Sequence, residues 1–202
     1  MLPAPQVRQA RLRLIEQGVP PSQGIAERVA RSWHRSLAAG LSPVGRIDCS
    51  DNVAGTALQR LRSLNHELIR HCEPVMEYLF EQVRESHSMV ILADPQGVLV
   101  HTLGDLDFVN KAERVALSCG ASWAERQRGT NAIGTALAEG HEVEIHGAEH
   151  YLDRNGFLTC AAAPIMSAQG QLMGILDLST DHRHRHPHTL GLVGTAARMI
   201  EN

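Results

Sequence analysis

Several groups of residues in this 202-residue chain have types and spacings that could do chemistry. Cys160 and His150 pair a thiol with an imidazole, the minimum for a Cys–His nucleophile. No orienting acid or oxyanion motif accompanies them, so the preferred reading is a small, buried, inert thiol. Gly129-x4-Gly134 has the glycine spacing of a phosphate-binding loop, but Thr135-Ala136 stands where such a loop needs Lys and then Ser or Thr. Nucleotide hydrolysis is therefore rejected. Gly134 is read instead as the place where a short helix lies close to a sheet or a ligand. His182, His184, His186 and His188 alternate with Arg183, Arg185 and Pro187. Alternate positions converge on one ion only when extended, and the arginines repel a cation, so a solvated loop is preferred to a metal site. Thr159-Cys160-Ala161-Ala162-Ala163 is unusual for a strand, because small side chains leave volume in a sheet. Either a neighbouring element or a ligand fills that volume, and a pocket is the favoured reading.

These groups need elements to position them. The spacing predicts a helix over 4–17, stopped by Gly18, with Ser22 able to cap the next one. Ile25, Val29, Trp33, Leu37 and Leu41 make an apolar stripe that packs either on its own domain or on a second copy. A long helix is expected from Ser50 or Asp51 to about Ser88, kinked or restarted at Pro74. Residues 89–101 read as a β-hairpin turned by Asp94-Pro95-Gln96-Gly97. Helix and loop follow over 105–128. Then come a motif helix over 131–139, capped by Thr130 or Asn131 and closed by Gly140, and strands near 142–147, 157–166 and 171–178. A last helix runs from about Pro187. The predicted class is α+β.

Composition narrows the function. Residues 8 to 35 carry six arginines against two glutamates, and without a following helix-turn-helix this reads as a solvated helix face. Net charge of −3 argues against a free-standing nucleic-acid binder. No apolar run approaches membrane-spanning length, and the polar, Arg-rich N-terminus has no leader-like apolar region. Cys49, Cys72, Cys119 and Cys160 form no C-x-x-C pair, which fits free thiols in a reducing cytoplasm.

The stretch from Gly129-Thr130-Asn131-Ala132-Ile133-Gly134 through Val143-Glu144-Ile145-His146 and Leu158–Ile165 to Gly174-Ile175-Leu176-Asp177 resembles the GAF domain of acetoin-catabolism-type regulators. These are bacterial activators of sigma-54 RNA polymerase, and the resemblance covers about residues 25–202. It implies a GAF-like antiparallel sheet flanked by helices, divided as an N-terminal helical arm (1–50), a ligand-sensing domain (51–186) and a C-terminal linker helix (187–202). In that family the linker continues toward an ATPase, which is absent here along with the DNA-binding domain. The implied activity is binding only, of a small neutral ketone, alcohol or diol such as acetoin. A homodimer is expected separately, because the apolar faces of helix 25–41 and of the last helix near 187–202 lie outside a compact sheet domain and seek burial. The site residues expected are His150, Tyr151, Cys160, Thr159, Ala161, Ala162, Asn131, Ile133, Trp123 and Phe157. No catalytic residue, metal or cofactor is assigned. GAF relatives also include iron or haem sensors, for which His101, His146 and His150 are the candidate ligands. A GAF-type reductase of free methionine sulfoxide needs clustered cysteines, which the four here do not show in sequence. The Asn-Lys…Phe…Asp-Glu signature of GAF domains that bind cyclic nucleotides is not present, and Lys111 is the only lysine.

Overall fold

The computed structural model describes residues 2–21, 24–45 and 49–201. Within them a five-stranded sheet forms from β1 (Ser88–Ala93), β2 (Leu99–Gly104), β3 (Val143–His146), β4 (Leu158–Met166) and β5 (Leu172–Asp181). The strand order is β2-β1-β5-β4-β3, and every neighbouring pair is antiparallel. The β1–β2 hairpin closes as expected. Asp94 Oδ1 accepts from the backbone N–H of Gln96 and of Val98, both at 2.9 Å, and Gly97 takes φ 83°.

Period-two alternation gives the sheet two apolar faces. The front face carries Met89, Ile91, Leu158, Cys160, Ala162 and Ile175, and the back face carries Val90, Leu92, Ala161, Ala163, Leu176 and Leu178. The back is covered by α4 (His66–Val83) and α8 (Thr189–Glu201), through Cys72, Met76, Leu79, Val193, Ala197 and Ile200. The front is covered by α1 (Ala4–Gln17), α2 (Glu27–Ala38), α5 (Leu106–Ala112) and α7 (Ala132–Glu139), with the short α6 (Glu125–Arg128) beside α7. This is the α+β, GAF-like arrangement expected from the sequence.

Several local expectations are corrected. The helix before β1 is two helices, α3 (Gly55–Leu64) and α4, and the break falls at Asn65 rather than at Pro74. Asn65 Nδ2 donates to Leu61 O at 3.0 Å, the kind of side-chain bond to backbone that competes with helix. Pro74 stays inside α4 because it lies on the exposed side, where the Arg70 carbonyl it leaves unpaired is open to water. The last helix starts at Thr189, two residues beyond Pro187. Ser22 lies outside the described residues, and α2 follows Ala26 without a side-chain cap.

The stripe on α2 is buried against its own chain. Val29 and Trp33 are buried, Ile25, Leu37 and Leu41 pack on the same cluster, and Trp33 Nε1 donates to Glu149 O at 2.7 Å. That removes the stripe as an argument for a seam between two copies. The arginines of residues 8–35 divide: Arg8, Arg13 and Arg31 are exposed, as a solvated face implies, and the others are drawn into the fold. Arg28 Nη1 donates to Glu142 O at 2.9 Å, and Arg31 and Arg35 hold Glu139 at 2.6 and 2.7 Å. Those contacts pull the Glu139 carboxyl down to about 2, first through Arg31. Arg11 is buried and bonded to the segment before β4. In this way α1 and α2 are built into the front layer.

Candidate effector site

The motif helix α7 is short, and its caps are those the sequence offered. Asn131 Oδ1 accepts from Gly134 N at 2.8 Å, while its Nδ2 donates to Trp123 O and Gly129 O at 2.9 and 2.8 Å. Asn131 is thus fully used in holding the helix start. Gly140, at φ 66°, ends the helix. Gly134 permits close approach in fact: a Cβ there would stand 2.6 Å from Trp123 O and 2.8 Å from Glu125 N, both backbone. Gly134→Ala is expected to cost about 1 kcal/mol despite the better helix propensity of Ala, because overpacking by about 1–3 kcal/mol outweighs a gain of about 1 kcal/mol. Urea denaturation checks this, and a stabilised variant would contradict the contact.

Beneath α7 the sheet presents a polar chain in an apolar layer. Register puts Ala162 beside Asp177 and Cys160 beside Ser179. Ser179 Oγ lies 2.6 Å from Asp177 Oδ2 and 3.0 Å from Cys160 Sγ. A hydroxyl has one proton, so Ser179 gives it to the carboxyl and the Cys160 thiol donates to Ser179. Burial pushes the Asp177 carboxyl up to about 7, and burial with the nearby carboxyl raises the Cys160 thiol well above its usual value. Asp177 Oδ1 has no hydrogen-bond partner. Neither does His150 Nε2, although His150 is fully enclosed. Its Nδ1 lies 3.0 Å from Gly147 O, which fixes Nδ1 as the protonated nitrogen and Nε2 as a bare acceptor. Burial keeps this ring neutral, lowering its pKa to about 4.

The sequence-derived site residues divide. Cys160, Ala162, Ile133, Trp123 and Tyr151 lie in the front core, with half-buried Phe157 packed on its margin. His150 is buried on the turn between β3 and β4. Thr159 and Ala161 alternate with Cys160 and face the other way, Ala161 into the back cluster under α8 and Thr159 toward His146 Nδ1 at 2.7 Å. Tyr151 donates its hydroxyl to Leu41 O at 3.0 Å, and Trp123 Nε1 donates to Ala116 O at 2.9 Å, so both polar tips are occupied by backbone. Asp177 and Ser179 were missed, and the signal was present: an acid stands inside the apolar run Ile175-Leu176-Asp177-Leu178. The Cys–His pair does not form, since the His150 ring bonds only Gly147 and the thiol is held protonated.

The other chemistries find no assembled site. His101 and His146 stand on β2 and β3, the two opposite edges of the sheet. Cys72 and Cys160 lie on opposite faces, burial pushing the Cys72 thiol up to about 12. Among the described residues no group of three or more His, Cys, Asp or Glu is placed to hold a metal ion. The histidines from His182 to His188 are exposed, with His186 and His188 rings 5.1 Å apart, while Arg183 and Arg185 pair with Asp181 and Glu144. No helix of the described residues is long and apolar enough to cross a membrane.

Known proteins agree with this architecture. The family model for the N-terminal domain of MimR matches residues 4–202. The acetoin dehydrogenase operon transcriptional activator AcoR of Bacillus subtilis is 33% identical over 190 residues, which are 94% of this chain and 31% of that protein. The propane 2-monooxygenase operon transcriptional activator MimR of Mycolicibacterium smegmatis is 29% identical over 96% of this chain and 32% of its own length. The chain thus spans about a third of these relatives. Among solved structures, the Escherichia coli DhaR(N)–DhaL complex superposes with a TM-score of 0.82 at 18% identity, covering 88% of this chain and 60% of that one, which shows a shared fold. The sequence match over nearly the whole chain and the common fold place it in the family of MimR N-terminal domains, the regulatory N-terminal portion of transcriptional activators.

Proposed function

We propose that this chain is the ligand-sensing domain of a sigma-54-dependent activator. It binds a small neutral ketone, alcohol or diol in the front layer and controls an ATPase elsewhere in the full regulator. The domain division proposed is arm 1–50, sensor 51–186 and linker 187–202, working in the cytoplasm, with DNA contact left to another domain. The observation that supports this reading is that two of the enclosed polar atoms without partners, Asp177 Oδ1 and His150 Nε2, belong to the front layer and the turn beside it. A buried polar group left unpaired costs about 1–3 kcal/mol, and such costs persist where a ligand supplies the missing bond. A hydroxyl donates to the bare His150 nitrogen, and Asp177 accepts a second donor or, when protonated, donates to a carbonyl. An anionic ligand is disfavoured beside a buried carboxyl. Asp177, Ser179, Cys160, His150, Ala162 and Ile133 form the proposed contact set, with Trp123, Tyr151, Asn131 and Phe157 as its supporting frame.

The two faces of β4 supply the test. A thermal-shift screen of small alcohols, ketones and diols, acetoin first, identifies a binder by its rise in melting temperature. Ala162→Leu fills the front layer and is expected to abolish that rise. Ala161→Leu presses on α8 and is expected to cost about 1–3 kcal/mol of stability while binding survives. Normal binding by Ala162→Leu, or no binder in a library of such compounds, overturns the reading. Light scattering on the same samples reports whether two copies pair.

A further inference from the structure

We propose that α1 is a lid over the 148–153 turn that carries His150, latched by Arg11. The inference rests on the effector reading only in what lies beneath the lid. The Arg11 side chain is 2% exposed, yet it sits on a helix with little else buried. Its Nη1 donates to Ala148 O at 3.1 Å and to His150 O, and its Nη2 pairs with Asp153. All three acceptors belong to the segment 148–153, which carries His150 and Tyr151. One guanidinium therefore ties α1 to the turn that encloses the proposed site.

The rest of α1 is held lightly. Val7 and Leu14 are its only other buried residues, Ala10 and Ile15 are half-buried on the same core, Leu12 is 44% exposed, and the helix meets the remainder of the fold chiefly at the 147–149 turn. Elements with few buried contacts open at a lower free energy than the global fold. Burial of the Arg11 charge opposes its own docking, because desolvation offsets part of what the three bonds contribute.

A cavity of about 170 Å³ marks where the lid meets the body. Leu2, Val7 and Arg8 wall it on the α1 side, and His146, Gly147 and Glu149 on the turn side. The Gly147 carbonyl that faces His150 Nδ1 at 3.0 Å belongs to that wall. The cavity thus reaches the residue that holds the buried imidazole, and α1 forms its opposite wall. His150, Cys160 and Asp177 are enclosed, so a ligand needs something to move, and α1 with its turn is a cover that few buried side chains hold.

Amide hydrogen exchange reports the opening without any ligand. Lid opening frees the amides of 148–153, whereas global unfolding also frees β5 at the centre of the sheet. Full-length protein is moved into deuterated buffer and followed by peptide mass spectrometry. Arg11→Ala is expected to raise the exchange rate of the 148–153 peptide about tenfold, the factor given by a latch 1.4 kcal/mol weaker, with the β5 peptide unchanged. Asp153→Asn, at a half-exposed partner, is expected to act in the same direction by a smaller factor, and it decides the matter if Arg11→Ala does not fold. An unchanged 148–153 rate in both variants overturns the lid. So does a rise of both peptides by the same factor. Selective opening of 148–153 with no alcohol, ketone or diol raising the melting temperature leaves the lid standing and removes the effector reading.

Discussion

Replacing Asp177 with Asn is expected to stabilise the protein at pH 8 and to flatten its dependence on pH. The carboxyl is fully enclosed at the centre of the sheet, with Ser179 as its one hydrogen-bond partner. Burial carries its pKa from an ordinary 3.8 to about 7. The folded protein therefore keeps a proton that the unfolded chain gives up. Stability falls as pH rises through that window, from about 4 to about 7, and is level above it. The cost at pH 8 is about 4 kcal/mol by linkage, or on the order of 10 °C in melting temperature for a chain of this size. Denaturation of both proteins at pH 5 and pH 8 checks it: the advantage of the Asn variant is smaller by about 2 kcal/mol or more at the lower pH than at the higher. A difference that is the same at both pH values would show that Asp177 does not titrate in this range.

The second large effect is expected in the opposite direction, at Glu125. Its side chain is 8% exposed and gathers three elements. Oε1 accepts from Ser32 at 2.5 Å, from Thr135 at 2.8 Å and from Arg35 Nη2 at 3.0 Å, and Oε2 accepts from Arg35 Nε at 2.5 Å. Glu125→Ala removes the acceptor on which α2, α6 and α7 converge. Breaking a buried pair costs about 3–5 kcal/mol, and the lower end applies here because Arg35 is 37% exposed and recovers water. Ser32 and Thr135, whose oxygens are 3.1 Å apart, then bond each other, which limits the loss further. Urea denaturation measures the change, and trypsin cleavage at Arg28 and Arg31 reports whether α2 has come away. A loss under about 1 kcal/mol would mean that the apolar stripe alone docks the helix.

Both residues show where sequence reading stops. The hairpin at Asp94–Gly97, the caps of α7 and the small-residue strand were legible because their signals are local: turn chemistry, a capping side chain and period-two patterning over a few residues. Alternation also said that Ala161 and Ala162 face opposite ways. It did not say which face meets α7, since that depends on where α8 lies, some thirty residues later in the chain. The arginines failed for the same reason. Arg35 finds Glu125 at a separation of 90 residues, and Arg11 finds His150 at 139, so a basic stretch looked solvated until the fold supplied its acceptors. Pro74 misled because its cost depends on whether its side of the helix is wet. Asp177 was legible in principle, since its neighbours on the strand face, Ile175 and Ser179, are both buried.

The composition of β4 bears on how stiff the domain is across its thickness. One run of backbone carries Cys160 and Ala162 toward α7 and Ala161 and Ala163 toward α8. A strand with leucines or methionines at these places would soak up a small displacement on one side by rotating them. Alanine has no χ angle to turn, so nothing between the two layers can yield except the main chain itself. The far helix is in turn pinned at its end, with His71 Nε2 2.7 Å from Ile200 O and Glu201 Oε1 accepting from Met166 N at 2.8 Å. The sheet at this point is a thin partition, and apart from the Cys160 thiol no side chain of this run of the strand stands between its front surface and its back with a torsion to turn.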